Sequence, residues 1–442
     1  MTAAMTAISM RFRTLEEWLR WQEGLHPHSI DLGLERVSAV ATDLGLAQFN
    51  CPVVTVGGTN GKGSCVALLE AMLVAGGYRV GTFTSPHLVR YNERIKIRGR
   101  LATDDELIDA FARIDAARGD RSLTFFEFNT LAALLLFQRE TLDAVLLEVG
   151  LGGRLDAVNI VDADVALLTS VALDHCEWLG NTVEEIGREK AGIFRAGRPA
   201  VLGTAAMPQS VFAAAHALGT QLRIPGIDFH FRTATDRWEW ADRNWRLQDL
   251  PLPALAGQRQ PANAAAVIAS LSALRDRLPL EAAAVARGLR EVTLRGRFEV
   301  VQGEPQWILD VAHNAEAAEL LATNLRALPA SGRTLAVVGV LRDKDAAALI
   351  APLLPIIDQW IAAGTSGPRG MSATELRSRA APRLDNHCIE AADIAEACRI
   401  ARTEARACDR IVVFGSFQTV GPALEWLERE SSPSAILARR GR

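Results

Sequence analysis

The chain has 442 residues, 49% of them apolar and 23% charged, with a formal net charge of −4. That length suits two or three domains with large cores, and the charge balance excludes an overall basic footprint for nucleic acid. No run of about 18 apolar residues exists to span a membrane, residues 1–20 lack the pattern of a secretory signal, and the six cysteines show no C-x-x-C pairing, so a cytoplasmic protein in a reducing compartment is expected, with no membrane or nucleic-acid partner.

Strand-like and helix-like segments alternate along most of the chain, which predicts α/β layers on mostly parallel sheets. Pro52–Val56 is a short apolar run ending at Gly57, and Ser64–Ala75 has helical periodicity with a stop at Gly76-Gly77. Arg79–Thr84 reads as the next strand. Thr103–Glu106 is a capping box opening a helix to about Ala116, and Phe125–Glu140 reads as a largely buried helix. Asp143–Val149 and Asp164–Thr169 are apolar strands, each ending in polar residues, and Thr182–Ala196 is helical. Between about Ile224 and Leu255, Trp238, Trp240 and Trp245 alternate with polar residues; an antiparallel hairpin or meander covering a sheet edge explains this better than an aromatic ligand box. Helices resume at about Ala262–Leu274 and Leu280–Glu291. A second α/β rhythm begins near Arg297, with strands at Trp307–Val311, Arg333–Val340, Gln359–Ala363 and Arg410–Phe414. Its helices run at about Asn314–Leu328, Asp345–Leu354, Ala391–Ala407 and Gln418–Arg429. This predicts a smaller doubly wound domain, so that residues 1–295 and 296–442 form two domains. The polar tail after Ser431 is expected to fray.

Gly57-Gly58-Thr59-Asn60-Gly61-Lys62-Gly63-Ser64 lies between a predicted strand and a predicted helix, the context a phosphate loop requires. Glycines let the backbone curl and aim N–H groups at phosphate oxygens, and the following helix N-terminus favours negative charge. Lys62 would reach the β- and γ-phosphates, and Ser64 could bind Mg²⁺. The segment departs from G-x-x-x-x-G-K-[ST], because Gly63 separates the lysine from the hydroxyl. A glycine-rich turn without a ligand is the alternative, and the lysine counts against it. Glu148 ends an apolar strand, where a side chain reaches the carboxyl edge of the sheet. Gly150–Arg154 then forms a tight turn that a ligand can approach. His175, next to Asp174, follows another strand end. A lone histidine is more often structural; its place on the same sheet edge as Glu148 favours a metal ligand, although histidine is an unusual partner for Mg²⁺.

These stretches together resemble the folylpolyglutamate synthase family, within the Mur-ligase-like ATP-dependent amide ligases. The matching segments are VGGTNGKGS at 56–64, TSPHLVRYNERI at 84–95, LEVGLGGRLDAVNIV at 147–161, SVALDHCEWLG at 170–180, IGREKAGIFR at 186–195, RGRFE at 295–299 and LDVAHN at 309–314. GSFQTV at 415–420 and VGVLRDKD at 338–345 are also family-like. The resemblance covers nearly the whole chain in order. It implies a large ATPase domain carrying the phosphate loop and the folate or pteroate site. A smaller Rossmann-like C-terminal domain would complete the ATP site and bind glutamate.

More narrowly, the chain is similar to the bacterial bifunctional dihydrofolate synthase/folylpolyglutamate synthases. The supporting segments are Asp31-Leu32-Gly33-Leu34, Thr124-Phe125-Phe126-Glu127 and Leu155-Asp156-Ala157, which in those relatives line the dihydropteroate pocket. From residue types alone, Phe125 and Phe126 are more often core residues than pterin platforms, and the segment at 31–34 could simply enter a helix.

The resemblance also implies roles residue by residue. Thr59, Asn60, Gly61, Lys62, Gly63 and Ser64, with Asn263, Arg297 and Asp310, would bind the nucleotide. Ser64, Ser85, Glu148, His175 and Lys190 would hold Mg²⁺, as two ions. Lys190 matches a lysine that can be carbamylated in the family; otherwise it is an ordinary helix lysine paired with Glu185 or Glu189. Lys62, Lys190, Arg297 and His313 would serve catalysis, with His313 approaching an acyl phosphate. Where the family often has proline after His-Asn, Ala315 stands here, which affects loop stiffness more than chemistry. The expected reaction adds L-glutamate to dihydropteroate and to reduced folates with ATP, in a monomer. A monofunctional folylpolyglutamate synthase or another Mur-type amino-acid ligase is the alternative within the class. A nucleotide-binding switch without ligase chemistry would leave Arg297, Asp310 and His313 unexplained.

Overall fold

The structure is a computed structural model that describes residues 10–46, 48–380, 384 and 388–430; the tail beyond Glu430 lies outside the described residues. The chain divides into two compact units. One holds the chain to Pro86, Asn92–Ala254 and Pro261–Val292; the other holds His87–Tyr91, Leu255–Gln260 and the chain from Thr293 on. Two short segments from within residues 1–295 thus belong to the second unit, which linear boundaries do not reveal.

The first unit opens with α1 (Leu15–Glu23) and α2 (Glu35–Leu44). Thr14 and Glu17 form a capping box on α1, satisfying N–H groups that have no partner inside the helix. Then come β1 (Val53–Gly57), α3 (Lys62–Ala75), β2 (Val80–Phe83), β3 (Ile95–Ile97) and β4 (Arg100–Leu101). Next are α4 (Asp104–Arg118), α5 (Phe125–Gln138), β5 (Ala144–Glu148), β6 (Val165–Leu168), α6 (Cys176–Leu179) and α7 (Val183–Ala191). β7 (Pro199–Leu202), α8 (Gln209–Leu218) and β8 (Gln221–Arg223) complete an eight-stranded sheet of order β4-β3-β2-β5-β1-β6-β7-β8. Its strands from β2 to β8 run parallel, and β3 and β4 add an antiparallel edge. Every residue of β1, β5 and β6 is buried. Helices cover both faces of such a sheet, so its strands read as unbroken apolar runs rather than alternating ones.

β9 (Phe229–Thr233), β10 (Arg237–Asp242) and β11 (Arg246–Pro251) form the expected antiparallel meander. Trp238, Trp240 and Trp245 are all buried, and the Trp240 indole N–H donates to Ala265 O at 3.0 Å. Ala265 lies on α9 (Gln260–Ala273), which is followed by α10 (Ala282–Glu291).

The second unit contains β12 (Glu299–Val301), β13 (Gln306–Asp310), α11 (Ala315–Ala327), β14 (Thr334–Val338), α12 (Ala346–Ile350) and β15 (Gln359–Ala363). α13 (Ala373–Ala380), β16 (Ile389–Ala391), α14 (Ile394–Glu404), β17 (Arg410–Phe414) and α15 (Phe417–Glu430) follow. The sheet order is β12-β13-β17-β14-β15-β16, parallel except for β12. One core lies under α11, α12 and α13, and a second lies under α14 and α15. The predicted helix at 345–354 stops at Ile350 and tightens into a 3₁₀ turn over Ala351–Leu353, because Pro352 cannot supply the next N–H. α7 likewise ends at Ala191, short of the predicted Ala196, with Gly192 as its cap. The short elements α1, β3, β4, α6, β7, α8, β8, β12, α13 and β16 were not predicted, and α2 is the helix that the segment at 31–34 enters.

α10 lies close against α3, the helix that carries the phosphate-loop lysine. A Cβ built on Gly288 would come within 2.6 Å of the Met72 backbone. Gly288→Val should therefore lower the free energy of unfolding by about 1–3 kcal/mol through overpacking. A urea midpoint equal to that of the unaltered protein would contradict this packing.

Candidate functional site

The parallel order places the carboxyl ends of β2, β5, β1 and β6 side by side. Val56 is in register with Glu148, and Gly57 with Leu168. The loop after β1 is tied to the segment after β6. Thr59 N–H donates to Ser170 O at 2.8 Å and Asn60 N–H to Ser170 Oγ at 3.1 Å. The Thr169 hydroxyl donates to Asn60 O at 2.7 Å, and Ala172 N–H donates to Thr59 Oγ1 at 3.0 Å. Gly58 has φ +140°, and a Cβ there would lie 1.9 Å from Thr169 Oγ1, so only glycine fits. The backbone donors of Thr59 and Asn60 thus brace the loop. The first helical bond, Cys65 N–H to Gly61 O at 3.0 Å, leaves the N-terminal turn of α3 beginning at Gly61. Ser64 in that turn is buried, and the Asn263 amide of α9 lies against Gly61.

Two lysines meet at this loop. Lys62 Nζ donates to Gly58 O at 3.0 Å and to Thr59 O at 3.1 Å. Lys190 Nζ, from α7, donates to the same Gly58 O at 3.1 Å. Lys190 is 5% exposed, and neither Glu185 nor Glu189 is its hydrogen-bond partner. Glu185 closes the Thr182 capping box and Glu189 binds Arg154. Burial, then the Lys62 charge, pushes the Lys190 amine down from 10.5 to about 7, with Asp174 and Asp156 acting in the opposite direction. Asp174 was noticed in the sequence only as a neighbour of His175.

Glu148 is 3% exposed and accepts Ser85 N–H at 3.2 Å. His175 caps α6 in a left-handed conformation, with its side chain partly exposed. Among the described residues no three His, Cys, Asp or Glu side chains gather as a metal cage. The predicted set contains only two such groups, with serine hydroxyls and a lysine making up the rest. Few carboxylates and hard oxygen donors fit Mg²⁺, which keeps several waters and substrate phosphates in its shell.

The three segments expected to hold a pteroate are brought into one neighbourhood. Asp31 Oδ2 lies 2.7 Å from Arg36 Nη1, and Arg36 Nη2 lies 3.2 Å from Glu127 Oε1. His26 joins Asp31 to Ser122, at 3.0 and 2.9 Å. Leu34 caps α2, and Leu32 and Gly33 lead into it half-buried. Thr124-Phe125-Phe126-Glu127 is itself a capping box on α5, with Thr124 N–H donating to Glu127 Oε2 at 2.7 Å. Phe125 and Phe126 are half-buried rather than core; Arg94 sits 5.6 Å above the Phe125 ring. Phe126 packs 5.8 Å from Phe83 and directly against Gly150. Asp156 staples the turn that follows: its carboxylate accepts Leu151 N–H at 2.8 Å and Val158 N–H at 3.0 Å. Burial raises Asp156 to about 6, against the pull of those backbone donors. Its oxygens serve the turn, while Leu155 is half-buried and Ala157 buried. Sequence reading missed Arg36 and His26, whose only signal was their nearness to Asp31.

In the second unit, Asp310 ends β13, and its carboxylate accepts Phe298 N–H and Ala312 N–H, each at 2.8 Å. Burial raises its pKa, and Arg297 opposes that rise. His313 Nδ1–H donates to Val311 O at 2.9 Å. Asn314 caps α11 through Ala317 N–H at 2.9 Å. Ala315 is then the first helical residue, the position where proline is most at home.

Residues 56–208 match the Mur ligase middle domain, and residues 296–417 match the Mur ligase glutamate ligase domain. The chain is 46% identical to the dihydrofolate synthase/folylpolyglutamate synthase of Escherichia coli, over 95% of this chain and 96% of that protein. The structure of the Escherichia coli enzyme with DHPP and ADP superimposes with a TM-score of 0.90 at 45% identity, covering 95% of this chain and 99% of that one. A bifunctional folylpolyglutamate synthase/dihydrofolate synthase with Mn, AMPPNP and L-glutamate bound gives 0.87 at 45% identity, covering 95% and 100%.

The depressed Lys190 pKa makes stability depend on pH. The stability it contributes is present above the unfolded value of 10.5 and is lost as pH falls through about 7. Relative to Lys190→Met in CO₂-free buffer, the unaltered protein should lose stability as pH is lowered between those values. Urea midpoints that stay in parallel across that range would refute the burial of a cation-forming amine at this position.

Proposed function

Because the chain belongs to the dihydrofolate synthase/folylpolyglutamate synthase family of Mur-type ligases, we propose that it is an ATP-dependent ligase. It adds L-glutamate to dihydropteroate, giving dihydrofolate, and to reduced folates, giving folylpolyglutamates. One observation carries this reading. The Gly150–Asp156 turn leaves β5 beside the phosphate loop and packs on Phe126, next to the Asp31–Arg36–Glu127 cluster. A carboxylate substrate and a nucleotide phosphate have neighbouring places in one unit.

A carboxylate acylates poorly because oxide would have to leave. Phosphorylation by ATP supplies a better leaving group, and the glutamate amine then displaces phosphate from the acyl phosphate to form the amide. The protein's task is alignment and charge neutralisation. The first turn of α3, Gly61–Ser64, and Lys62 take the phosphates, and Asn263 contacts the nucleotide. Ser64, Ser85, Glu148 and His175, with Lys190 as its carbamate, would hold two Mg²⁺ ions, which would supply positive charge to neutralise the phosphates. An amine near pKa 7 has the neutral fraction that carbamylation needs. Arg297 and Asp310 of the second unit serve the nucleotide, and His313 serves the acyl phosphate. We also infer a cytoplasmic monomer; all six cysteines are free thiols, which suits a reducing compartment. Among the described residues no helix is long and apolar enough to cross a membrane.

Purified protein with ATP, Mg²⁺ and L-glutamate should form an amide product from dihydropteroate and, separately, from a reduced folate. Absence of product from both would overturn the ligase reading, and product from one alone would overturn bifunctionality. Arg297→Ala should lower kcat by roughly 100-fold, the scale of losing one preorganised charge partner of a transition state, with the urea midpoint nearly unchanged. An undiminished ligation rate would remove Arg297 from catalysis.

A further inference from the structure

The second unit places an aromatic ring between two residues assigned to the chemistry. Phe417 is the first residue of α15, directly after β17. Its ring lies 5.3 Å from the Arg297 guanidinium carbon, and its centroid lies 6.4 Å from that of the His313 ring.

The topology explains why these three meet. β17 lies between β13 and β14. After β13 the chain passes into α11 over one core, and after β17 it passes into α15 over the other. Strand ends whose connections leave to opposite faces open a crevice at the carboxyl edge of the sheet, where ligands bind in folds of this kind. Asp310 and His313 lie at and just after the end of β13, and Phe417 lies just after the end of β17.

The supports of the ring and of Arg297 are rigid. Buried Thr419 donates its hydroxyl to Gly339 O at 2.7 Å and lies 3.1 Å from Ser416 Oγ, fixing the start of α15. Arg297 stands between two left-handed residues, Gly296 at φ +69° and Phe298 at φ +47°. Positive φ at a phenylalanine is an outlier that surrounding bonds must hold. Val311 N–H donates to Gly296 O at 2.9 Å, Gly296 N–H to Glu299 Oε2 at 2.8 Å, and Phe298 N–H to Asp310 Oδ2 at 2.8 Å. The Arg297 guanidinium interacts with the Asp310 carboxylate, and a ring face attracts a cation over it.

We propose that Phe417 is a positioning residue, whose ring face holds the Arg297 guanidinium in its working orientation and backs the His313 ring. This rests on the assignment of Arg297 to the nucleotide. Arg297, not the ring, meets the phosphate charge.

The test separates a π-face from simple packing. Phe417→Leu retains an apolar side chain without a quadrupole, and Phe417→Tyr retains the ring. Phenylalanines carrying increasing numbers of ring fluorines weaken the quadrupole at nearly constant shape, which keeps the test informative if the leucine variant folds poorly. Expected are a kcat and an ADP affinity, the latter by calorimetry, both reduced roughly 3- to 30-fold in Phe417→Leu, the range of a partly desolvated cation–π contact. Phe417→Tyr should return both to within about twofold on the same scale, and fluorination should lower them in steps. In an Arg297→Met background, Phe417→Leu should add almost nothing. A folded Phe417→Leu with unchanged kcat and ADP affinity, fluorinated variants without a trend, or a full additional loss on top of Arg297→Met would each overturn the proposal. If the unaltered protein binds ADP and forms product while these variants match it, only the positioning role fails. If the unaltered protein forms no product, the ligase reading itself fails.

Discussion

Two lysine amines, Lys62 and Lys190, share one carbonyl oxygen, that of Gly58. Burial makes such a pairing of like charges more costly. The loop cannot relax away from it, because Thr169 and Ser170 bind its backbone, Ala172 binds the Thr59 hydroxyl, and Gly58 has no room for a side chain. Burial, then the Lys62 charge, depresses the Lys190 pKa, and Asp174 and Asp156 oppose that shift. An anion at the N-terminus of α3 would meet Lys62 and the positive end of the helix dipole.

The parallel sheet lets distant residues act on that point. Each strand delivers its last side chain to one edge, so Glu148 from β5, the loop from β1 and the Thr169–Ser170 pair after β6 need no long-range search for one another. Charged groups farther out serve mainly to hold backbone. Asp156 gives its carboxylate to the 150–156 turn, and Glu127 closes the start of α5 while pairing with Arg36. In the second unit Asp310 likewise fixes the strained stretch around Arg297. A buried carboxylate that accepts backbone N–H groups fixes loop geometry; burial shifts Asp156 and Asp310 upward, and the backbone donors limit that rise.

What could be read from the sequence follows the range of the interactions involved. Apolar runs marked β1, β5 and β6 because strands buried on both faces have no polar positions to interrupt them. The loop at Gly57–Ser64 was legible because glycines, a lysine and a following helix are contiguous. The tryptophan alternation identified the β9–β11 meander because its period is local. The helix α1 was not read from its sequence, although Thr14 and Glu17 carry the capping box that starts it.

The amino-acid sequence by itself determined the layered α/β class, the phosphate loop and the family, all of which are written in runs of neighbouring residues. Only the tertiary structure decided that Lys190 reaches Gly58 rather than Glu185 or Glu189, that the Thr59 and Asn60 amides brace the loop, that Arg36 joins Asp31 to Glu127, and that Phe417 faces Arg297 and His313. Each of these depends on a distance of a few ångströms between residues far apart in the chain. Such distances are set by strand order, by register and by which face of the sheet each connection takes, and no local pattern encodes them.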